Sequence, residues 1–494
     1  MKHFRRIQSE FSKIALTWDD LSINQQKKYL NDHPKSKRKL TAKPKTSIEK
    51  NAVKLLGSIV KKSPFKNKTF LAGGYVRDKI LGRPSKDIDI VVAKENGGID
   101  LATYISNKLG IREPVIFPTF GTAKIQLPSG LEVEFVQTRN EEYMRGSRKP
   151  RTSFGTLNED IERRDFTINT LLYDLTNDKI LDLTGRGLSD LKKGLIKTPL
   201  DPNETFKDDP LRMLRAIRFA TKYGFEFDEN IIPAIKANSQ ELRHISKERI
   251  QDEFNKMLLT KKPSRALEIM RKTGLLKEFL PELLDLVDLE QGRYHYTDAW
   301  GHTMAALDYS KPDIIDRLSA LLHDIGKPAK FTRDEDGEPH FYQHEKASAD
   351  MIKDILKNLK YSNDIIKQVA EIAGSHMRIV KSDTWRNSTV RRFIHDMGPN
   401  LEKVLALVEA DRRSHHPKYV NLDSLNRLRG RIKEVQGEKP VDSLKSPLSG
   451  NEIMKILNID SGPLVGKIKN KLQDELFENP KMTKEEAINF IYKN

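Results

Sequence analysis

Residues 71–92, LAGGYVRDKILGRPSKDIDIVV, contain the pattern that decides the fold of the N-terminal region. Asp87 and Asp89 stand two apart within an apolar run that continues to Val92. On a strand, residues i and i+2 point to the same face, so both carboxylates project together. Two neighbouring like charges on a buried strand are unfavourable unless a cation compensates them. The pattern therefore predicts a strand that carries a divalent metal site.

A glycine pair upstream of this strand predicts a phosphate-binding turn. Gly73 and Gly74 let the backbone come close to phosphate oxygens, and a helix is expected to begin behind them. Arg77 would lie on the first turn of that helix, within reach of a triphosphate. Paired carboxylates beside bound phosphates are how two-metal polymerases align an attacking hydroxyl with a leaving pyrophosphate.

The sequence GGYVRD followed by DIDI resembles the head motif of class II nucleotidyltransferases, the family of CCA-adding tRNA enzymes and bacterial poly(A) polymerases. The resemblance implies a polymerase-β-like head with a mixed sheet. It implies that Asp87 and Asp89 are the catalytic ligands of Mg²⁺, and that Gly74 and Arg77 contact the phosphates of the nucleotide.

A third acid is expected on a neighbouring strand, within LEVEFVQTR at 131–139. Glu132 and Glu134 share one strand face there, so the alternation of side chains does not separate them. Glu134 is the better match to the acidic strand of the family. Residues 139–154, rich in basic residues and glycine, are expected to form a mobile lid.

The segment GTLNEDIERRDFTINTLLYDL at 155–175 resembles the family's RRD motif, which contacts the incoming ribose. The resemblance implies that Arg164 bridges phosphate and that Asp165 accepts a hydrogen bond from a sugar hydroxyl. An exposed ion-paired turn is the alternative. Asn169 argues against it, because it is expected inside an apolar helix, FTINTLLY, where a buried amide needs partners.

The segment DDPLRMLRAIRFA at 208–220 is predicted to be a helix with a charged face. Residues three apart share that face, and they are Asp209, Arg212, Arg215 and Arg218. Such a face is often an ordinary salt-bridged surface. The resemblance instead implies nucleotide binding, with Asp209 and Arg212 offering an acceptor and a forked donor to the base edge of C or A.

The C-terminal half contains LLHDIGKP at 321–328, which resembles the signature of HD phosphohydrolases. The resemblance implies a divalent metal held by four ligands, His302, His323, Asp324 and Asp411. It offers His344 and His376 as contacts to a second metal or to phosphate. The chain has no cysteine, so every metal site must use histidines and carboxylates.

Composition and charge are consistent with a polyanionic partner. The net charge is +17, and residues 1–70 hold 18 Lys and Arg against 5 Asp and Glu. Basic segments gain affinity for nucleic acid by displacing counterions from phosphates. The basic N-terminus lacks the apolar segment of a secretory signal, and no apolar stretch approaches the roughly 20 residues that span a bilayer. We therefore expect a cytoplasmic protein without a membrane partner.

The overall expectation is an α+β fold in which the head is followed by an all-α neck, an all-α HD domain and a helical tail. The expected organisation is a basic extension (1–45), the nucleotidyltransferase head (46–200), a helical recognition and RNA-binding neck (201–285), the HD domain (286–420) and the tail (421–494).

The predicted function is template-independent addition of C, C and A to tRNA 3′ ends from CTP and ATP, with an auxiliary HD phosphohydrolase acting on phosphorylated RNA ends. Two alternatives stay open at this point. One is an A-adding enzyme or poly(A) polymerase, which shares every head motif. The other is an HD phosphohydrolase whose head binds RNA without catalysis.

Overall fold

The computed structural model describes residues 45–493, apart from 86, 143–150, 293–296, 439, 442–443 and 445. Residues 1–44 of the predicted basic extension and the centre of the predicted lid lie outside the described residues. The chain divides into two compact units, 1–244 and 245–494, and this division falls inside the predicted neck.

The first unit is built around a mixed sheet of seven strands with helices beside it. Its helices and strands are α1 Lys45–Val60, β1 Thr69–Ala72, α2 Gly74–Ile80, β2 Ile88–Val92, α3 Gly97–Leu109, β3 Val115–Phe117, β4 Thr122–Gln126, β5 Glu132–Gln137, β6 Arg139–Glu142, β7 Arg151–Phe154, α4 Leu157–Glu162, β8 Leu172–Asp174, β9 Lys179–Leu181, α5 Gly187–Lys193, β10 Leu195–Ile196, α6 Pro202–Asp208, α7 Leu211–Tyr223, β11 Glu226–Phe227 and α8 Ile231–Asn238.

The strand order in the large sheet is β3-β4-β5-β2-β1-β8-β9. Strands β2 and β5 run parallel, and the other neighbours in this sheet pair antiparallel. The strand predicted around Asp87 and Asp89 is present as β2, which begins one residue after Asp87, and the strand predicted within residues 131–139 is present as β5. The predicted mixed sheet of the head is therefore confirmed.

Helix α3 packs tightly on this sheet because two glycines begin it. A Cβ built on Gly98 would lie 2.7 Å from the carbonyl oxygen of Gly121 and 2.8 Å from that of Phe135. Leu101 and Ile105, further along the helix, are fully buried against the sheet side. The missing side chain at position 98 lets the helix approach the strands that carry the acidic residues.

One predicted helix is wrong. The segment FTINTLLY forms a single 3-10 turn, Thr167–Asn169, and then enters strand β8. Strand β8 pairs with both β1 and β9, so its short apolar run is buried inside the sheet. A short, fully buried apolar run is compatible with either a helix or an interior strand. The tertiary pairing decides between them here.

The charged face predicted for residues 208–220 is also corrected at its start. Asp209 has an extended backbone conformation (φ −140°, ψ 98°) and lies between α6 and α7, because Pro210 interrupts the helix. Asp209 Oδ1 accepts a hydrogen bond of 3.2 Å from the Leu211 N–H at the start of α7. The aspartate therefore lies at the entrance of the helix, while the three arginines lie on it.

The described part of the predicted lid forms a small separate sheet, in which β6 and β7 pair antiparallel. Residues 143–150, between the two strands, lie outside the described residues, so the predicted mobility of the lid stays a prediction.

The second unit is mainly helical. Its elements are α9 Lys247–Leu258, α10 Pro263–Thr273, α11 Ala299–Tyr309, α12 Ile314–Leu322, β12 Thr332–Arg333, β13 Pro339–His340, α13 His344–Asn358, α14 Asn363–Ser375, α15 Asn387–Met397, α16 Leu401–Arg413, α17 Asp423–Glu438, α18 Gly450–Leu457, α19 Pro463–Glu478 and α20 Lys484–Lys493. A large apolar cluster joins α14, α15, α16, α17 and α19, and a smaller one joins the last three helices. The α+β class is thereby confirmed. Across the residues that the structure describes, every helix is too short or too polar to cross a membrane.

Candidate active sites

The first candidate site is an acidic group on neighbouring strands. Asp89 on β2 stands at the same register as Glu134 on the parallel strand β5. Burial, then the charges of Glu134 and Asp87, raise the pKa of Asp89 to about 6. Asp87 lies just before β2 and is exposed. Two carboxylates that raise the pKa of a third favour a nearby cation. The three residues do not form a set of donor atoms within 4.8 Å of one another among the described residues, so the divalent metal here stays a prediction.

Glu134 resolves the ambiguity that strand alternation left open. It lies opposite Asp89 and forms an ion pair of 3.2 Å with Lys124. Glu134 contributes to the raised pKa of Asp89, whereas Glu132 is not among its causes. The third acid of this group is therefore Glu134.

The glycine turn lies where β1 ends and α2 begins. Gly73 has φ 61°, a left-handed conformation that glycine adopts without strain. A Cβ built there would lie 3.3 Å from Nη1 of Arg164, and one built on Gly74 would lie 3.6 Å from Nη2 of Arg77. Two guanidinium groups thus flank the half-buried backbone of this turn, and Arg164 also acts electrostatically on Asp89. The arrangement suits a phosphate group next to a metal site.

Arg77 is more buried than a simple phosphate ligand would be. It is 4% exposed, and its guanidinium lies 4.9 Å from the Phe219 ring centroid and 4.8 Å from that of Tyr223. Its Nε donates to Asp78, and its Nη1 donates to Asn169. Arg77 therefore ties α2 to the 3-10 turn at Asn169 and to α7. A contact from its Nη2 to phosphate stays a prediction.

Arg164 and Asp165 of the RRD segment are held by different partners. Arg164 donates to Asp160 at 2.9 Å and to the carbonyl oxygen of Asn169 at 3.1 Å. Asp165 accepts from Asn169 at 2.8 Å with one oxygen and from two nitrogens of Arg215 at 2.6 and 2.8 Å with the other. Burial by itself raises the pKa of Asp165, but the Arg215 charge and these hydrogen bonds outweigh it and hold the pKa at about 2.

The hydrogen bonds that Asp165 already accepts bear on its predicted contact with the ribose. The Phe166 N–H donates to Asp165 Oδ1 as well, so each carboxylate oxygen already accepts two hydrogen bonds. The predicted acceptance from a sugar hydroxyl stays a prediction. What the structure shows directly is that Asp165 fixes Arg215.

The remaining arginines of α7 differ in exposure and partners. Arg212 is 8% exposed and donates to the carbonyl oxygens of Arg163 (2.6 Å) and Thr205 (3.4 Å). Arg218 lies over the Phe219 ring at 4.1 Å from its centroid. The predicted base-reading roles of Asp209 and Arg212 stay predictions. The structure brings Arg212, Arg215 and Asp165 into one charged group, since both arginines lower the pKa of Asp165.

The second candidate site is a buried cluster of histidines and aspartates in the second unit. His302 Nε2 lies 3.0 Å from Asp411 Oδ1 and 3.4 Å from Asp324 Oδ2. His323 Nε2 lies 3.3 Å from the same Asp324 oxygen. The four ligands predicted from the sequence therefore converge, although they come from two helices, α11 and α16, and from the turn after α12.

A further pair of histidines approaches the other side of Asp324. His344 Nε2 lies 3.2 Å from Asp324 Oδ1 and 3.4 Å from Nε2 of His376. Donor atoms within 4.8 Å of one another form two overlapping sets here, one with His302, His323 and Asp324 and one with Asp324, His344 and His376. Asp324 belongs to both sets, so the cluster has donors for two metal ions.

The ring orientations suit metal binding. Nδ1 lies near the carbonyl oxygen three residues upstream in His323 (2.9 Å from Ala320), His344 (2.8 Å from Phe341) and His376 (2.6 Å from Ala373). A carbonyl oxygen only accepts, so Nδ1 carries a proton, and a bound metal would take the place of any proton on Nε2. This is the tautomer that a metal-binding imidazole requires.

The ionisation of the aspartates is consistent with a site that binds a cation. Burial by itself raises the pKa of Asp324, but His323 and Lys327 hold that pKa well below its ordinary value. Nζ of Lys327 lies 2.6 Å from Asp324 Oδ2. The Nε2 atom of His323 is buried and lacks a well-aligned hydrogen bond. Two ionised carboxylates and inward-facing imidazole nitrogens in a dry site fit a divalent metal.

Sequence reasoning missed several residues of both sites. Asp160 is fully buried and binds Arg163 at 2.6 Å as well as Arg164. Its position four residues before Arg164 is the signal that could have revealed it. In the second unit, His415 forms a third donor set with His302 and Asp411. It stands four residues after Asp411, again one helical turn away.

Family comparisons cover both units. Residues 69–197 match the family model described as "Poly A polymerase head domain", residues 224–286 match "Probable RNA and SrmB- binding site of polymerase A", and residues 302–416 match "HD domain". The fold and the sites thus define a nucleotidyltransferase that carries an HD domain.

Curated relatives narrow this class. The chain is 30% identical to the tRNA nucleotidyltransferase cca1 of Schizosaccharomyces pombe, over 91% of this chain and 95% of the relative. It is 30% identical to the A-adding tRNA nucleotidyltransferase of Deinococcus radiodurans, over 68% of this chain and 79% of the relative. The chain belongs to the tRNA nucleotidyltransferase family.

Solved structures show the same fold. A CCA-adding enzyme of Bacillus stearothermophilus in complex with CTP matches with a TM-score of 0.64 at 21% identity, over 90% of this chain and 96% of that chain. A Thermotoga maritima CCA-adding enzyme complexed with tRNA matches with a TM-score of 0.55 at 20% identity.

Proposed function

We propose that this chain adds C, C and A to the 3′ ends of tRNA, using CTP and ATP. The observation that carries the proposal is the acidic group of Asp89, Glu134 and Asp87 beside the arginine-flanked glycine turn. That combination of a cation site and a phosphate site is what nucleotidyl transfer requires. Relatives named for CCA addition in Candida glabrata and Saccharomyces cerevisiae support it.

The proposed metal is Mg²⁺, held by Asp87, Asp89 and Glu134. When bound, it supplies Lewis-acid stabilisation for attack of the tRNA 3′-hydroxyl on the α-phosphorus and for departure of pyrophosphate. Arg164 and the Gly73–Gly74 turn bind the triphosphate, Arg164 by charge and the turn by its backbone N–H groups. These groups orient the nucleotide before the tRNA end arrives.

Base selection in this proposal belongs to Asp209, Arg212, Arg215 and Arg218. The Asp165–Arg215 ion pair fixes one guanidinium of α7, so that the neighbouring positions present donors at defined places. Arg212 exchanges a carbonyl partner for the base edge, and Asp209 supplies the acceptor at the entrance of α7. An acceptor beside a forked donor can match either C or A.

The central experiment supplies a tRNA that lacks its CCA end together with labelled CTP, labelled ATP or both. Incorporation of both nucleotides supports CCA addition, whereas ATP-only incorporation supports an A-adding enzyme, and CTP-only incorporation supports a CC-adding one. These rivals are real, because relatives named A-adding and CC-adding match this chain. Asp87→Ala should abolish incorporation. Asp178→Ala is the control, since Asp178 is an exposed carboxylate whose partners are Lys61 and the Tyr173 hydroxyl.

We further propose that the HD cluster hydrolyses phosphate esters at damaged RNA ends. A divalent metal held by His302, His323, Asp324 and Asp411 supplies an activated water when bound. Lys327, beside Asp324, adds positive charge for the phosphate. The support is the convergence of lone-pair nitrogens and carboxylates described above.

The test measures release of phosphate and opening of 2′,3′-cyclic phosphate on an RNA oligonucleotide, after loading the protein with Mg²⁺, Mn²⁺, Co²⁺ or Ni²⁺. Asp324→Ala should abolish this activity and leave nucleotide addition intact. Asp350→Ala is the matched control, because that aspartate is exposed on α13. Absence of nucleotide addition in the wild type, together with hydrolysis that survives Asp87→Ala and is lost in Asp324→Ala, would favour an HD phosphohydrolase with a non-catalytic head.

The predicted cytoplasmic location belongs to this proposal too. Two of the relatives carry the word mitochondrial in their names, so the location of this chain is to be determined by microscopy of the tagged protein.

A further inference from the structure

An aromatic pair, an exposed tyrosine stacked on a half-buried histidine, precedes His344 of the HD cluster in the chain. Tyr342 is 71% exposed, the largest exposed fraction among the large apolar and aromatic side chains of the described residues. Its ring stacks on the His340 ring, with centroids 5.2 Å apart and planes 14° apart. An aromatic ring that exposes this much surface in a fixed orientation presents a flat apolar face to solvent.

The orientation is fixed by a short hydrogen-bonded turn. His340 Nε2 lies 2.8 Å from Asp334 Oδ2. Asp334 Oδ1 accepts from the backbone N–H groups of Asp336 and Glu338 at 3.1 and 2.8 Å, and these residues form the turn between β12 and β13. These hydrogen bonds fix the His340 ring, and stacking on that ring orients the Tyr342 ring. A ligand that stacks on this ring loses less side-chain entropy than one that must first order it.

The backbone directs this ring outward and the next histidine inward. Gln343 has φ 63°, a left-handed conformation that reverses the chain between the two residues. His344 is buried, with Nε2 3.2 Å from Asp324 Oδ1, whereas Tyr342 is exposed. Two residues of chain span at most about 7 Å. The Tyr342 ring is therefore attached to the chain within about 7 Å of the Cα atom of a histidine that supplies a metal-binding donor.

Further aromatic side chains lie under the same segment. Phe341 lies 5.8 Å from Phe331 between ring centroids, and Lys327 Nζ lies 5.4 Å from the Phe341 ring. Lys327 thus contacts both the aromatic segment and Asp324 of the metal cluster. The segment offers apolar ring faces beside one cation, which is the composition of surfaces that stack bases next to a phosphate.

We propose that Tyr342 is the nucleobase platform of the HD site. In this assignment, which rests on the proposed hydrolase function, the substrate is a terminal nucleotide phosphate. Its base stacks on Tyr342 while its ribose phosphate enters the cluster at His344 and Asp324. Stacking accepts every base, because each has an aromatic face, and it favours the larger purines. The platform therefore selects nucleotide esters over other phosphate esters without reading the base edge.

The experiment compares hydrolysis of adenosine 2′,3′-cyclic phosphate with hydrolysis of methyl riboside 2′,3′-cyclic phosphate, which keeps the sugar and lacks the base. Tyr342→Ala should raise KM for the adenosine substrate roughly tenfold, as loss of one base–aromatic stack implies. It should change neither kcat nor the KM of the methyl riboside. Tyr342→Phe should keep the wild-type KM, because the ring remains. Tyr309→Ala, at a tyrosine 58% exposed on α11, is the matched control and should keep both KM values.

Binding separates this inference from the hydrolase proposal. The affinity of adenosine 2′-monophosphate is measured by calorimetry on the metal-loaded wild type, Tyr342→Ala and Tyr309→Ala, with inorganic phosphate as the second probe. A loss confined to the nucleotide and to Tyr342→Ala supports the platform even if no substrate is turned over. Equal nucleotide affinity in wild type and Tyr342→Ala, or equal KM losses for both cyclic phosphates, would overturn it. If the wild-type protein turns over neither cyclic phosphate, that result contradicts only the proposed hydrolase function, and the binding measurements still decide on the nucleobase platform.

Discussion

Asp165 offers the sharpest test of how the nucleotide site is held together. We expect Asp165→Asn to destabilise the first unit by about 2 kcal/mol at pH 7. The figure follows from the pKa of Asp165, which is about 2 against an ordinary value of 3.8, at roughly 1.4 kcal/mol per unit. The buried amide would keep the shape of the carboxylate but lose its charge-assisted bonds to Arg215.

The pH dependence has a definite sign. Because folding lowers the pKa of Asp165, its contribution is fully present above pH 4 and is lost as pH falls towards 2. The difference between wild type and Asp165→Asn should therefore be constant from pH 7 to 5, and should shrink to about half by pH 3. Local measurement is needed, since a chain with two compact units need not unfold in one step.

Hydrogen exchange of peptides from α7 gives that local readout, with rates corrected for their intrinsic pH dependence. Asp178→Asn is the control, because its exposed ion pair with Lys61 should contribute well under 1 kcal/mol. A difference below about 0.5 kcal/mol at pH 7, or one that grows as the pH falls, would refute the account of Asp165 as the anchor of Arg215.

Three further predictions concern the acidic group, the HD cluster and the packing of α3. Asp89→Asn should abolish nucleotide incorporation. In the metal-free protein, Asp89→Asn should also raise the free energy of unfolding by on the order of 2 kcal/mol above pH 6. Folding raises the pKa of Asp89 to about 6, so the stability that the protonated carboxyl contributes at low pH is lost as the pH rises through that value. A fall in the melting temperature of the variant in EDTA would contradict this prediction. Asp324→Asn should lower the metal content of the second unit at least about tenfold by elemental analysis, with nucleotide addition unchanged, and retention of stoichiometric metal would remove Asp324 from the ligand set. Gly98→Ala should lower the free energy of unfolding by about 2–3 kcal/mol, because its Cβ would meet two backbone carbonyl oxygens. Gly57→Ala is the control, because a Cβ at this position of α1 would make only ordinary contacts. Equal melting temperatures for the two variants would contradict the close approach of α3 to the sheet.

The strands of the head could be predicted from the sequence because their apolar runs and turn residues repeat the geometry of a pleated sheet. Strand β2, with Asp89 on it, is the clearest case, although Asp87 lies just before the strand. Strand β8 could not be predicted in the same way. It spans only Leu172–Asp174, between β1 and β9, and three residues are too few to show the alternation that separates a strand from a helix.

The side-chain partners of the charged residues could not be predicted from the sequence pattern either. Spacing suggested one charged face for Asp209 and the α7 arginines, but Pro210 places the aspartate outside the helix. Spacing also gave no sign that Asp165 and Arg215, 50 residues apart, form a bidentate pair. Such contacts depend on how two elements meet in three dimensions, and no periodicity within either element encodes them.

The ring anchoring of the HD histidines has a consequence for which ion occupies the cluster. His323, His344 and His376 each have Nδ1 within 2.9 Å of a main-chain oxygen that exists whether or not an ion is present. Chelation should therefore leave these rings in place, and reloading should need no refolding. The ligand set thus stays assembled in the ion-free protein and can accept any ion that suits nitrogen and oxygen donors, so the cellular supply of transition metals would help to set the occupant.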